Sequence, residues 1–147
     1  MSIQKLPNWI LISILILASL GFIDATYLTV SHYAGVDLYC GADGGCNTVT
    51  NSEYSTMFGI YIAVYGMLYY LSILVLTVIY IDTKNNKILK PLMIIPVLGF
   101  LFSLYLVYLQ LFVINAICRY CMLSAGISTL LLLINMFLVQ NYKKLIK

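Results

Sequence analysis

Charge is what this sequence has least of. Only 9% of its 147 residues are charged, where a soluble domain carries about 25%. So few charges cannot cover a water-facing surface, so an ordinary soluble enzyme is excluded. Internal repeats and low-complexity tracts are also absent, which removes solenoids and disordered tails. The net charge of +3 is too small and too scattered to mark a nucleic-acid binder. What fills the chain is apolar: 63% of residues are hydrophobic, against about 45–50% in soluble domains. The lipid bilayer is the home for that excess.

A spanning helix needs about 20 mostly apolar residues. Four such stretches can be read, at about 8–31, 57–81, 91–114 and 117–140. They use most of the chain, so residues 1–147 read as one four-helix transmembrane domain with no room for a separate soluble one. Lys5 before the first apolar run suggests a signal peptide. However, the run from Trp9 to Val30 is about 33 Å long as a helix and lacks an A-x-A-like cleavage site, so it reads as a retained anchor.

The basic residues are segregated. Lys5 precedes the first span, Lys84, Lys87 and Lys90 lie between the second and third, and Lys143, Lys144 and Lys147 follow the fourth. Asp37, Asp43 and Glu53 lie in the long segment between spans one and two. The positive-inside rule then places both termini in the cytoplasm. The 32–56 segment and the tight turn at Asn115–Ile117 face outward. Such a short turn makes spans three and four antiparallel neighbours.

Small residues at Gly21 and Ala25, Gly59 and Ala63, and Gly99 and Ser103 have the spacing that lets membrane helices approach closely. Most of the 13 tyrosines read as interfacial anchors or packing. Tyr61, Tyr65 and Tyr69 share a helix face that can line a pocket. Asp24, about two turns inside the first span, reads as an interfacial carboxylate bonded to a tyrosine or water, with proton transfer as the alternative. The outward segment is long for a loop without a task.

That segment holds Cys40 and Cys46; Cys118 and Cys121 form C-R-Y-C at the outward start of span four. An extracytoplasmic side is where disulfides persist. At helical spacing the Cα atoms of Cys118 and Cys121 are about 5–6 Å apart, within disulfide range. A helix start and Arg119 both favour thiolate at Cys118. Three chemistries compete. Two inert disulfides would make a membrane scaffold. Four thiolates could hold zinc, but C-x5-C is looser than the usual spacing, so no metal site is expected. A redox relay fits best. Attachment of c-type haem is excluded because Met122, not His, follows the second cysteine.

The segments G-F-I-D-A-T-Y-L-T-V-S-H-Y, C-x5-C, N-S-E-Y-S-T-M-F-G-I-Y-I-A-V-Y-G and C-R-Y-C-M-L-S follow one another over residues 21–124. In that order they resemble the vitamin K epoxide reductase family, in its prokaryotic form without a fused thioredoxin-like domain. The other class of bacterial quinone-linked disulfide generator carries its C-x-x-C in the first outward loop, and fits poorly. The resemblance implies that Cys40 and Cys46 are a shuttle pair, that Cys118 and Cys121 are the active-site pair with Cys121 beside a quinone, and that Ser52 lies near them. Two departures stand out. Many prokaryotic relatives have Pro where Tyr61 stands, and animal relatives have Tyr where Ala125 stands. The second weakens a case for epoxide reduction.

The sequence therefore leads us to expect an all-α membrane protein, a four-transmembrane-helix bundle capped outside by a loop with a short helix. Its expected activity is thiol:quinone oxidoreduction in a prokaryotic plasma membrane. Electrons would pass from a secreted or membrane-anchored thioredoxin-like partner, through Cys40 and Cys46 and then Cys118 and Cys121, to menaquinone, ubiquinone or a similar quinone. Ser52 is expected among the catalytic residues; Phe58, Ile62, Tyr65, Phe112, Ser124 and Ala125 are expected to line the quinone pocket. Quinone-epoxide reduction and a disulfide-stapled scaffold are the alternatives.

Overall fold

In hydrocarbon every backbone N–H and C=O must find a partner within the protein, and a helix supplies it from its own segment. The computed structural model has four helices long and apolar enough to cross a membrane. It describes residues 6–41 and 44–146, with side chains described through 141. Lys5, Asp43 and Lys147 lie outside the described residues, as do the side chains of Lys143 and Lys144.

Helix α1 (Asn8–Ala34) ends on Gly35, whose left-handed backbone (φ 65°) closes it at no steric cost. The loop that follows contains α2 (Gly45–Thr50), a single 3-10 turn at Glu53–Ser55 and a two-stranded hairpin, β1 (Thr56–Met57) with β2 (Ile60–Tyr61). Three long helices complete the chain: α3 (Ile62–Thr83), α4 (Asn86–Tyr108), extended by a π-helical stretch at Leu109–Ile114, and α5 (Arg119–Ile146). Helix α1 packs on α3 and α5, and α4 packs on the same two, closing a ring. The first, larger core cluster includes Ile10, Ile14, Ala18, Tyr70, Ile73 and Leu131. A second cluster, at the end where α2 sits, contains Cys40, Cys46 and Cys118. Lys84, Lys87 and Lys90 sit at the opposite end, around the α3–α4 turn.

Two expectations need correction. The second span does not begin at Met57. Thr56 pairs with Tyr61 and Met57 with Ile60, across a Phe58–Gly59 turn in which both residues have positive φ, 53° and 79°. That is the geometry of a tight two-residue hairpin turn, and it postpones the helix to Ile62. Gly59 is therefore a turn residue, not a helix-packing one. The fourth helix starts at Arg119, leaving Ile117 in the connection.

The other small residues do pack. A Cβ on Gly21 would run into the Tyr70 ring, and one on Gly99 into the Tyr69 ring; one on Gly66 would lie 3.6 Å from the Ala25 Cβ. Both tyrosines then reach α5. Tyr70 donates to the Ser124 carbonyl at 2.9 Å, and the Tyr69 hydroxyl lies 3.4 Å from Ser128 Oγ. Each glycine is thus the socket of a ring whose hydroxyl ties a third helix.

Gly21→Val should displace a ring that is both buried and bonded. Overpacking costs about 1–3 kcal/mol, so thermal unfolding in detergent should show a clearly lowered Tm. Gly126→Ala, where an added Cβ meets nothing within 4 Å, should leave Tm unchanged or raised.

Candidate active site: four cysteines beside a cavity

The loop is fastened to the start of α5 at several points. Tyr120 donates its hydroxyl proton to the Tyr39 carbonyl at 3.1 Å. A Cβ on Gly41 would sit 3.7 Å from the Arg119 guanidinium. Within the loop, Asn47 Oδ1 accepts from the Leu38 N–H at 2.9 Å, holding the strand-like approach to Cys40 against α2. The closest approach is at Gly45. A Cβ there would strike the Ile117 carbonyl and lie 3.3 Å from its carbon. Glycine lets the first turn of α2 rest on the backbone just before Cys118. Cys46, the next residue, is fully buried, as is Cys118.

Cys40 and Cys46 are joined by a disulfide, with Cα atoms 6.0 Å apart. Cys118 and Cys121 are free thiols. All four lie in or against the second core cluster, with Leu28, Val49 and Tyr61. Cys118 is not inside α5 but caps it. Its carbonyl accepts the Met122 N–H at 3.0 Å, and its Sγ accepts the Cys121 N–H at 3.2 Å. That is the N-cap pattern with sulfur in place of the usual oxygen. Hydrogen bonds from the Cys121 thiol, and then from backbone N–H groups, hold the Cys118 thiol below its ordinary range despite burial and the nearby Asp24 charge. The Arg119 guanidinium lies beside Gly41 of the loop.

A cavity of about 290 Å³ adjoins this cluster. Cys121 is its one cysteine among the described residues. Of the residues expected there, Ser52, Ile62, Tyr65, Ser124 and Ala125 line it, as do Tyr61 and Tyr69. Phe58 and Phe112 do not. Phe58 stands at the hairpin tip, 94% exposed, and Phe112 is 69% exposed on the π-helical stretch. Both were placed by chain proximity, which does not fix the direction a side chain takes. Ser52 makes no hydrogen bond to a cysteine; its hydroxyl donates to the Val49 carbonyl at 2.7 Å.

One residue of the site was not read from the sequence, and two that were read take a different setting. Gln110, almost wholly buried, accepts the Cys118 N–H on its Oε1 at 3.0 Å. Without it that N–H would be buried and unpaired. A glutamine inside a spanning segment was the available signal. Tyr61 is buried and stacks flat on His32, with ring centroids 3.9 Å apart. Asp24 is buried. Its Oδ2 finds no partner among the described residues, so the expected bond to a tyrosine is not made by that oxygen.

A model of the vitamin K epoxide reductase family matches residues 12–136 of the chain. The match spans all four cysteines and every residue that lines the cavity.

The lowered Cys118 thiol has a consequence for pH. A depressed pKa means that thiolate persists to lower pH, so thiolate absorbance should titrate with a midpoint below the usual value of about 8.5. Cys121→Ala removes the leading donor and should move the Cys118 midpoint upward. A midpoint unmoved by that change would place the cause elsewhere.

Proposed function

Because the chain belongs to the vitamin K epoxide reductase family, membrane oxidoreductases that work through cysteines, we propose that it oxidises thiols on the extracytoplasmic side and delivers their electrons to a quinone. One observation carries this reading: Cys40, Cys46 and Cys118 share a single buried cluster with Cys121 packed against it, and Cys121 alone of the four faces the cavity. A two-ended arrangement of this kind has a thiol-facing end at Cys40 and an acceptor-facing end at Cys121.

Each exchange needs an attacking thiolate and a leaving thiolate. A reduced thioredoxin-like partner attacks Cys40, breaking the Cys40–Cys46 disulfide and releasing Cys46 as thiolate. The partner's second thiolate attacks the mixed disulfide, leaving with its own disulfide and freeing Cys40. Cys46 then attacks Cys118 of a Cys118–Cys121 disulfide and expels the Cys121 thiolate. Cys40 attacks Cys46, restoring the first disulfide and releasing Cys118, which the α5 cap and its hydrogen bonds receive as thiolate. One disulfide and one dithiol are left at this point.

The cavity fits a quinone. Its wall is largely aliphatic and aromatic with few polar groups, as such sites are. A bound quinone supplies a sink for two electrons and two protons. The chain's part is to hold the ring beside Cys121 and to exclude water through Ala25, Leu28, Ile62 and Leu106. Ala125 brings no hydroxyl to the wall, which favours plain quinone reduction over opening of an epoxide.

Purified protein given a small dithiol and a soluble quinone should reduce the quinone. Cys121→Ala should lose this with every donor. Cys40→Ala should keep part of it with a small dithiol and lose it with a thioredoxin-like protein. Turnover by Cys121→Ala would defeat the reading.

The hand-off has its own test. In a Cys40→Ala, Cys121→Ala double variant both resolving thiols are gone, so oxidation should trap a Cys46–Cys118 disulfide. Peptide mapping without reductant would detect it. Two cysteines that stay unlinked, or that pair only between molecules, would mean the loop does not pass electrons to α5.

A further inference from the structure

We propose that the Tyr61 phenol donates a hydrogen bond to a carbonyl oxygen of the quinone held beside Cys121, so that Tyr61 is the residue that selects a quinone over an apolar ring of the same shape. The inference rests on the reading of the cavity as a quinone site.

Several cavity-wall hydroxyls, those of Tyr54, Ser55, Tyr61, Ser103 and Ser124 among them, give no proton to a backbone carbonyl among the described residues, and of these Tyr61 is the buried one. Tyr65 gives its proton to the Met57 carbonyl at 3.2 Å, Ser52 to the Val49 carbonyl at 2.7 Å, and Tyr70 to the Ser124 carbonyl at 2.9 Å. Thr50 gives its proton to the Cys46 carbonyl at 2.8 Å, and Tyr69 faces Ser128 on α5. Among the described residues Tyr61 makes no hydrogen bond to a backbone carbonyl. Its polar neighbour is the Thr50 hydroxyl, whose own proton goes to the Cys46 carbonyl, so Thr50 Oγ is the acceptor that a quinone carbonyl would replace. A phenol proton turns about its C–O bond, and a carbonyl oxygen is a ready acceptor for it.

The ring itself cannot turn aside. It is 4% exposed, and His32 lies flat against it at an interplanar angle of 3°. As the last residue before α3, Tyr61 lines the same cavity as Cys121. Burial first, then negative charge on the neighbouring cysteine pair, pushes the phenol's pKa up. A phenol so protected from ionisation stays a donor whenever the neighbouring dithiol is charged. It would also meet the negative charge that gathers on the carbonyl oxygen as electrons arrive.

Binding distinguishes this role from packing. The probes are 2-methyl-1,4-naphthoquinone and 2-methylnaphthalene, which share a ring system and differ in the two carbonyls. Each is titrated into the detergent-solubilised full chain with both disulfides formed, so that no turnover occurs. A neutral hydrogen bond is worth about three- to tenfold in affinity. Tyr61→Phe should weaken the quinone by about that factor and leave the hydrocarbon unchanged. Equal weakening of both probes would make Tyr61 a wall and nothing more. If Tyr61→Phe binds the quinone as the original chain does, the quinone site stands and the donor role falls. If the original chain binds no quinone, the reading of the cavity falls and this inference with it.

Discussion

The contact between Gly45 and the Ile117 carbonyl sets the distance from which everything at the outer end is built. Backbone rests on backbone there, with no side chain between, so α2 is seated on the turn that leads into α5. Cys46 and Cys118 are the next residues on the two sides of that contact. The surrounding bonds, Tyr120 to Tyr39 and Leu38 to Asn47, hold the loop in the same place from its other side. A loop of this length ordinarily carries conformational freedom. Here it is spent, and the two cysteine pairs meet in one buried cluster without a long-range movement.

The second constraint is the hydrocarbon itself, which tolerates few unpaired polar atoms. It explains why Gln110 lies on an irregular stretch. Six π-helical residues, Leu109–Ile114, end α4 before the chain turns at Asn115, whose φ is 53°. Regular helix would not supply a partner for the Cys118 N–H beyond that turn, and the Gln110 side chain does. The same constraint makes Asp24 conspicuous. One of its oxygens is buried without a partner, and its charge is felt at Cys118. Among the described residues Asn135 Oδ1 is likewise buried without a partner.

The four helices and the four cysteines were legible in the sequence because each depends on something local. An apolar run of about 20 residues has one structural outcome in a membrane, and C-x-x-C at a helix start has few. The hairpin was not legible. T-M-F-G-I-Y is as apolar as the helix that follows it, and only the backbone at Phe58 and Gly59 separates them. The facing of Phe58 and Phe112 was illegible for a related reason. A spanning helix is apolar on its lipid side and its packed side alike, so no stripe tells one from the other. Tyr65 and Tyr69 were readable as one helix face because their spacing is regular, whereas Tyr61 lies in β2 ahead of that helix and shares only the cavity with them. The Gly45 contact was not readable, because it acts on a residue distant in the chain, and Gln110 reaches Cys118 only across an irregular turn.

The sulfur cap on α5 also bears on energy levels. A helix end that welcomes an anion stabilises the dithiol form of the Cys118–Cys121 pair and does nothing comparable for its disulfide, in which Cys118 carries no charge. Stabilising the reduced form raises a pair's reduction potential. Cys40 and Cys46 are on a loop and on a single-turn helix, with no long helix end to offer either one. In the proposed relay the start of α5 would therefore be a downhill step for electrons. It is set by where one helix begins, and a shift of that beginning by a single residue would level it.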